Sequence, residues 1–169
     1  MKSIAVIGLD RFGYTLAVTL SQLGHQVLCI DENEKAIQSV ADQVTNAVCA
    51  NTTNEAALRA AGIKSFDSAV ICISDSMERS LLTVLAVKDA GINAVTVRAM
   101  SDDHKKILEK LGFVDIIYPE YDMATKLAYR INKSKIREYL EFSNDYSIIE
   151  IAVPEKWVGK TLKALDKGR

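Results

Sequence analysis

The sequence predicts an α/β fold: a doubly wound parallel sheet of six strands, followed by the truncated start of a second small domain. Three observations carry the prediction. Short apolar runs alternate with segments of helical periodicity and are joined by short loops, as a sheet with helices on both faces requires. The runs I-A-V-I and A-V-I-C-I are continuously apolar, the pattern of strands covered on both sides. The first run leads directly into G-L-D-R-F-G, Gly8 to Gly13, a glycine turn with the spacing of a Rossmann-type dinucleotide-binding motif.

Each element follows from local chemistry. Ser3–Ile7 is an apolar run ending at the turn. Phe12–Leu23 has helical spacing through Phe12, Leu16, Leu20 and Leu23, and Gly24 stops it. Gln26–Ile30 is a second strand ending in Asp31, Glu34–Gln43 is helical, and Ala47–Cys49 is a short third strand. Thr53 or Asn54 can cap a helix running to Ala61, which Gly62 ends. The pattern repeats with strand Ser68–Ile73, helix Ser76–Ala90, strand Ala94–Val97, a helix from Asp102 to Leu111 and strand Val114–Tyr118. An amphipathic helix, Tyr121–Ile131, closes the first domain, residues 1–132. Residues 133–146 keep an apolar stripe through Ile136, Tyr139 and Leu140 and are expected to form a linker or dimerisation helix. Ser147–Val153 is a further strand, opening a second domain over residues 147–169. A lone strand cannot build a core of its own, so it needs a partner.

Bulk properties exclude several classes. The chain has 169 residues and a formal net charge of −1, with a pI near 6.1, so nothing favours nucleic acid as a partner. No apolar run approaches the roughly 18 residues that a membrane span needs. No signal peptide precedes the glycine turn. The three cysteines, Cys29, Cys49 and Cys72, fall in predicted strands without paired spacing. They are read as small buried hydrophobes in a reducing compartment, which points to the cytoplasm.

The glycine turn has the context that nucleotide chemistry needs: strand before, helix after, acid downstream. Asp31 lies 18 residues past Gly13, where a carboxylate accepts hydrogen bonds from both ribose hydroxyls and disfavours a 2′-phosphate. The following helix points its N-terminus at the phosphate position. Asp10 departs from the motif, because the middle glycine normally lets the backbone approach the pyrophosphate. At an effective dielectric near 20, two unit charges about 4 Å apart repel by roughly 4 kcal/mol. Asp10 is read as an N-cap of the first helix, with a cation bridging it to phosphate as the functional alternative. Arg11 can offset part of the charge. At the other strand ends, Arg98 is the natural phosphate clamp, with a salt bridge to Asp102 or Asp103 as the structural alternative. Ser74, after the fourth strand, lies near the ligand or caps the next helix. His25 and His104 have no partner readable from spacing and are read as surface residues. W-V-G-K-T-L contains G-K-T, but Pro154 occupies the position of the first P-loop glycine, so that motif is rejected. No hydride-transfer machinery is visible. The chain reads as a sensor, with a small NAD-dependent oxidoreductase or redox sensor as the alternative.

Four blocks in order, G-L-D-R-F-G, I-D-E-N-E-K, A-N-T-T-N-E-A-A-L and V-R-A-M-S-D-D-H-K-K-I-L-E-K-L-G-F-V-D-I-I-Y-P-E, resemble the regulator-of-potassium-conductance family. Within it, the chain is similar to the cytosolic subunit of Trk/Ktr-type potassium transporters. The resemblance covers residues 2–153. It implies a cytoplasmic, non-catalytic gating subunit: homodimers assembled into an octameric ring beneath a membrane-embedded potassium-translocating subunit. It also implies an adenine nucleotide (ATP, ADP, or NAD and NADH) in the cleft, with a divalent cation such as magnesium possible. By matched position, Asp31 holds the ribose, Asn51 and Thr52 lie near the adenine, Arg98 lies near the phosphates, and Arg11 is placed to reach a terminal phosphate. Gly8, Asp10, Phe12 and Gly13 of the turn, with Glu32 and Ser74 at the neighbouring strand ends, complete the candidate cofactor-binding residues. Glu120 matches an acidic position that takes part in cation binding. Two departures stand out: Asp10 itself, and the end of the chain where the family's smaller C-terminal domain begins.

Overall fold

The computed structural model describes residues 1–113, 115–132, 136–143, 146–151, 153 and 155–165. Its contacts divide into two units, Met1–Tyr118 and Pro119–Arg169.

In the first unit the strands are β1 (Ser3–Ile7), β2 (Gln26–Asp31), β3 (Asn46–Cys49), β4 (Ser68–Ile71), β5 (Val95–Arg98) and β6 (Ile116–Ile117). Between them run helices α1 (Arg11–Gln22), α2 (Glu34–Val40), α3 (Glu55–Ala60), α4 (Met77–Asp89) and α5 (Asp102–Lys110). The sheet order is β3-β2-β1-β4-β5-β6, every pairing parallel. This is the predicted Rossmann-type sheet. The chain leaves β3 at one edge and re-enters at β4 on the far side of β1. The order therefore reverses beside β1, the place where such sheets open a crevice.

The continuously apolar strands are buried as their sequence requires. Ala5, Val6, Ile7 and Val27 to Ile30 have no exposed surface. One core layer packs Ile7, Leu28, Ile30 and Ile71 with Leu58, Val84, Val87 and Leu108. The opposite layer packs Val6, Val27, Cys29 and Cys72 with Ala17, Ile37 and Val40. The helices start where a side chain can satisfy their open N–H groups. Asn33 accepts from Lys35 and Ala36, Asn54 from Ala57, Ser76 from Arg79 and Ser101 from His104.

Four local readings are corrected. Cys29 and Cys72 are buried, and burial pushes both thiols up to about 12, but Cys49 is exposed because β3 is an edge strand. His104 is fully buried instead of lying at the surface. Ser101 draws the first turn of α5 inward, and the imidazole Nδ1 accepts from the Met100 N–H at 3.3 Å. Burial holds its pKa below the ordinary histidine value, so the ring is neutral. Ser74 does not cap α4, since Ser76 occupies that position.

The fourth correction falls in the second unit, which contains α6 (Pro119–Asn132), β7 (Ile136–Ser143), β8 (Tyr146–Ile151) and α7 (Leu162–Leu165). Residues 136–143 form a strand and not the expected helix. Ile136, Tyr139 and Leu140 fit a helical stripe, but Ile136, Tyr139 and Phe142 are also residue types that strands favour. The following apolar run pairs with it antiparallel, Tyr139 opposite Ile149 and Leu140 opposite Ile148. That hairpin also gives the predicted last strand its partner. Residues 133–135, 144–145, 152, 154 and 166–169 of the linker and second-domain readings lie outside the described residues.

Candidate functional site

At the C-terminal ends of β1, β2 and β4 lies a cleft of about 550 Å³. Its floor is the glycine turn. Gly8 has φ +91°, and a Cβ on it would stand 3.0 Å from the Ile73 nitrogen. A Cβ on Gly13 would stand 2.0 Å from the Gly8 carbonyl oxygen, so α1 approaches the turn closer than any side chain permits. The first and third glycines thus perform the packing roles that the motif assigns them.

Asp10, in the middle position, does something else. It has extended backbone, φ −64° and ψ −176°, and is the N-cap of α1. Its Oδ1 accepts from the Gly13 N–H at 3.0 Å. Its Oδ2 accepts from the Ser74 hydroxyl at 2.6 Å and pairs with Arg98 Nη1 at 2.5 Å. Arg98 is buried and lies over the Phe12 ring, 5.1 Å from its centre. Partial burial acts to raise the Asp10 pKa. The Gly13 N–H, the Ser74 hydroxyl and the Arg98 charge outweigh it, and together hold the carboxyl below its ordinary value. Arg98 thus pairs across the sheet with Asp10, a partner that neither the phosphate-clamp reading nor its salt-bridge alternative named.

At the other end of the cleft, Asp31 closes β2. Its Oδ2 accepts from the Leu9 N–H at 2.6 Å and its Oδ1 from the Asn33 N–H at 2.7 Å. These bonds fix the carboxylate against the turn while leaving lone pairs on both oxygens. Arg79, on the first turn of α4, pairs with Asp75 at 2.5 Å and reaches Glu32 at 3.5 Å. It thereby spans the ends of β2 and β4.

Of the residues singled out from sequence, Gly8, Asp10, Asp31, Glu32 and Ser74 line the cleft together. Gly13, Phe12 and Arg98 shape it from behind through the contacts just described. Arg11 is exposed at the start of α1. Asn51 and Thr52 follow β3 beyond the cleft lining. Asn51 Oδ1 accepts from the N–H and hydroxyl of Thr53, and the buried Thr52 hydroxyl accepts from Thr83 at 3.1 Å. Glu120 opens α6 in the second unit. Among the described residues no three His, Cys, Asp or Glu side chains converge on a metal position. Sequence reasoning overlooked Arg79. The spacing of Asp75 and Arg79, an i,i+4 pair at the start of a helix facing the cleft, is the signal that marks it.

Residues 4–119 match the TrkA-N domain. The chain is 36% identical to the Ktr system potassium uptake protein C of Bacillus subtilis over 165 residues, covering 98% of this chain and 75% of that protein. It is 37% identical to the Ktr system potassium uptake protein A of the same organism over 161 residues, 95% of this chain and 72% of the relative. Among solved structures, the Kef CTD of Shewanella denitrificans in its AMP-bound form superposes with a TM-score of 0.63 at 27% identity, covering 74% of this chain and 76% of that one.

Proposed function

The chain belongs to the TrkA-N domain family, and from that premise we propose that it is a regulatory subunit of a potassium uptake system, gated by an adenine nucleotide in the β1/β2/β4 cleft. The observation that carries the proposal is the similarity to two Ktr potassium uptake proteins along nearly the whole chain. The cleft supports it: the Gly8 and Gly13 positions keep the close turn, and Asp31 presents a fixed acceptor for a ribose. The AMP-bound neighbour makes an adenine nucleotide the ligand class to test first.

In this reading Asp31 and Glu32 take the ribose, Asn51 and Thr52 lie toward the base, and Arg11, Ser74 and Arg98 surround the phosphate position. Glu120 is the residue through which a magnesium ion would act. The protein works as homodimers in an octameric ring on the cytoplasmic face of a membrane-embedded partner. Attachment to the membrane is through that partner; among the described residues no helix is long and apolar enough to cross a membrane. A ligand that binds two ring shapes with different affinity shifts the gate by that difference. The relatives carry the names of transport proteins, and we assign no catalytic role.

The test is potassium uptake by cells lacking their own uptake systems, with this chain co-expressed with a Ktr membrane subunit. Uptake that depends on this chain, and falls in an Asp31→Ala variant, is the expected result. Uptake indifferent to the chain would sink the proposal. Turnover of NADH with carbonyl substrates would favour the oxidoreductase alternative. Light scattering checks the assembly, which a strict monomer would contradict.

A further inference from the structure

The most unusual feature of the cleft is that its anion position is already filled. A ligand phosphate at the N-terminus of α1 needs hydrogen-bond donors and positive charge. The donors gathered there are the Gly13 N–H, the Ser74 hydroxyl and the Arg98 guanidinium, and each is engaged with the Asp10 carboxylate. The open N–H groups of the first turn lie beside that same carboxylate, so a phosphate reaching them meets a like charge. The surrounding lining adds to this. The cleft lining includes four carboxylates, Asp10, Asp31, Glu32 and Asp75, and one guanidinium, Arg79, which pairs with Glu32 and Asp75 and leaves Asp10 to Arg98 behind it.

We propose that Asp10 sets the ligand specificity of the cleft: its carboxylate stands in for a ligand phosphate, so the site recognises the adenosine end of a ligand and gains no affinity from the phosphates. This rests on the adenine-nucleotide reading above and sharpens it. To seat a phosphate in the usual place, the ligand must strip Asp10 of three donors and leave a largely buried carboxylate without them. With glycine in position 10, no carboxylate of the turn competes with a ligand phosphate for those donors. Recognition of the ribose is untouched, because it depends on acceptors at Asp31 and not on donors at Gly13.

The experiment is calorimetric titration of the whole chain and of Asp10→Gly and Asp10→Asn with adenosine, AMP and ADP, in EDTA and again with magnesium. The wild type is expected to bind the three within about threefold of one another in both buffers. In Asp10→Gly, ADP should exceed adenosine by about tenfold or more, and Asp10→Asn, which keeps the helix cap, should move the same way. Unchanged adenosine affinity in Asp10→Asn shows that the cleft is intact. A wild type that prefers ADP by about tenfold in EDTA, or a ratio unmoved in both variants, overturns the proposal. A phosphate gain that appears only with magnesium overturns it as well, since Asp10 is then a cation ligand. If adenosine, AMP and ADP all fail to bind any of the proteins, the nucleotide reading itself falls and this inference with it.

Discussion

The two ends of the cleft are built from the C-terminal ends of neighbouring central strands, and each places a carboxylate against the glycine turn, yet they offer a ligand opposite things. At the α1 end, Asp10 takes up donors: an N–H, a hydroxyl and a guanidinium. At the β2 end, Asp31 also accepts, from Leu9 and Asn33, but what a ribose needs there is an acceptor, and each oxygen retains one. An internal carboxylate therefore closes a phosphate site and preserves a sugar site. Whether a side chain competes with a ligand depends on whether it consumes the hydrogen-bonding role the ligand needs, not on whether it is already bonded.

The comparison breaks most completely if the turn supporting both ends is lost. Gly13→Ala drives a methyl to within 2.0 Å of the Gly8 carbonyl oxygen, which is backbone and cannot swing aside. We expect a loss of about 4 kcal/mol or failure to fold, read by urea denaturation. Gly24→Ala is the control. Gly24 has φ +83° with nothing within 4 Å of its added Cβ, so only the left-handed backbone conformation costs, about 1 kcal/mol. Equal effects in the two variants would mean that steric closeness at Gly13 is not what holds the turn.

At the α1 end the next largest effect is removal of the cation. Arg98→Ala leaves the Asp10 carboxylate about 70% buried without its charge partner, which costs about 2 kcal/mol, below the value for a fully buried pair. A double-mutant cycle with Asp10→Asn isolates the pair from the other contacts of Arg98. We expect a coupling of about 1–2 kcal/mol, and additive losses would show the two to be independent. At the β2 end, Asp31→Asn turns one acceptor into a donor facing a backbone N–H. Adenosine affinity should fall about tenfold by calorimetry, while the ratio of ADP to adenosine stays that of the wild type. A change in that ratio would mean that the two ends are not separable.

Much of this was legible in the sequence, for reasons that differ by residue. Gly8 and Gly13 are readable because only glycine meets their backbone contacts, and Asp31 because strand length fixes its distance from the turn. The Asp10–Arg98 pair was not, since 88 residues separate its members and only the parallel order β1-β4-β5 brings them together. Spacing directs attention to near neighbours, so Asp102 and Asp103 were the obvious partners for Arg98. Ser74 misled for the same reason, with a capping role open two residues before the true cap, Ser76. Residues 136–143 show a different limit. A segment with both apolar spacings takes the structure that its pairing partner imposes.

The smallest expected effect is the pH dependence that separates Asp10 from an ordinary surface carboxylate. Its folded pKa lies below the unfolded value of 3.8, so the unfolded chain binds the proton more readily. The stability contributed by ionised Asp10 is therefore fully present above that unfolded value and disappears as the pH falls through the lower folded one. Asp10→Asn has no such group. The stability difference between wild type and Asp10→Asn should be level from pH 7 to about pH 5 and shrink toward pH 3, as measured by denaturation across that range. His104 provides an internal reference for the higher range, because burial keeps it neutral and its protonation opposes folding. That loss begins below its unfolded value of 6.5, affects both proteins alike and cancels in the difference. A difference that grew with falling pH would mean that burial dominates at Asp10, and that the Gly13, Ser74 and Arg98 donors do not favour its charged form.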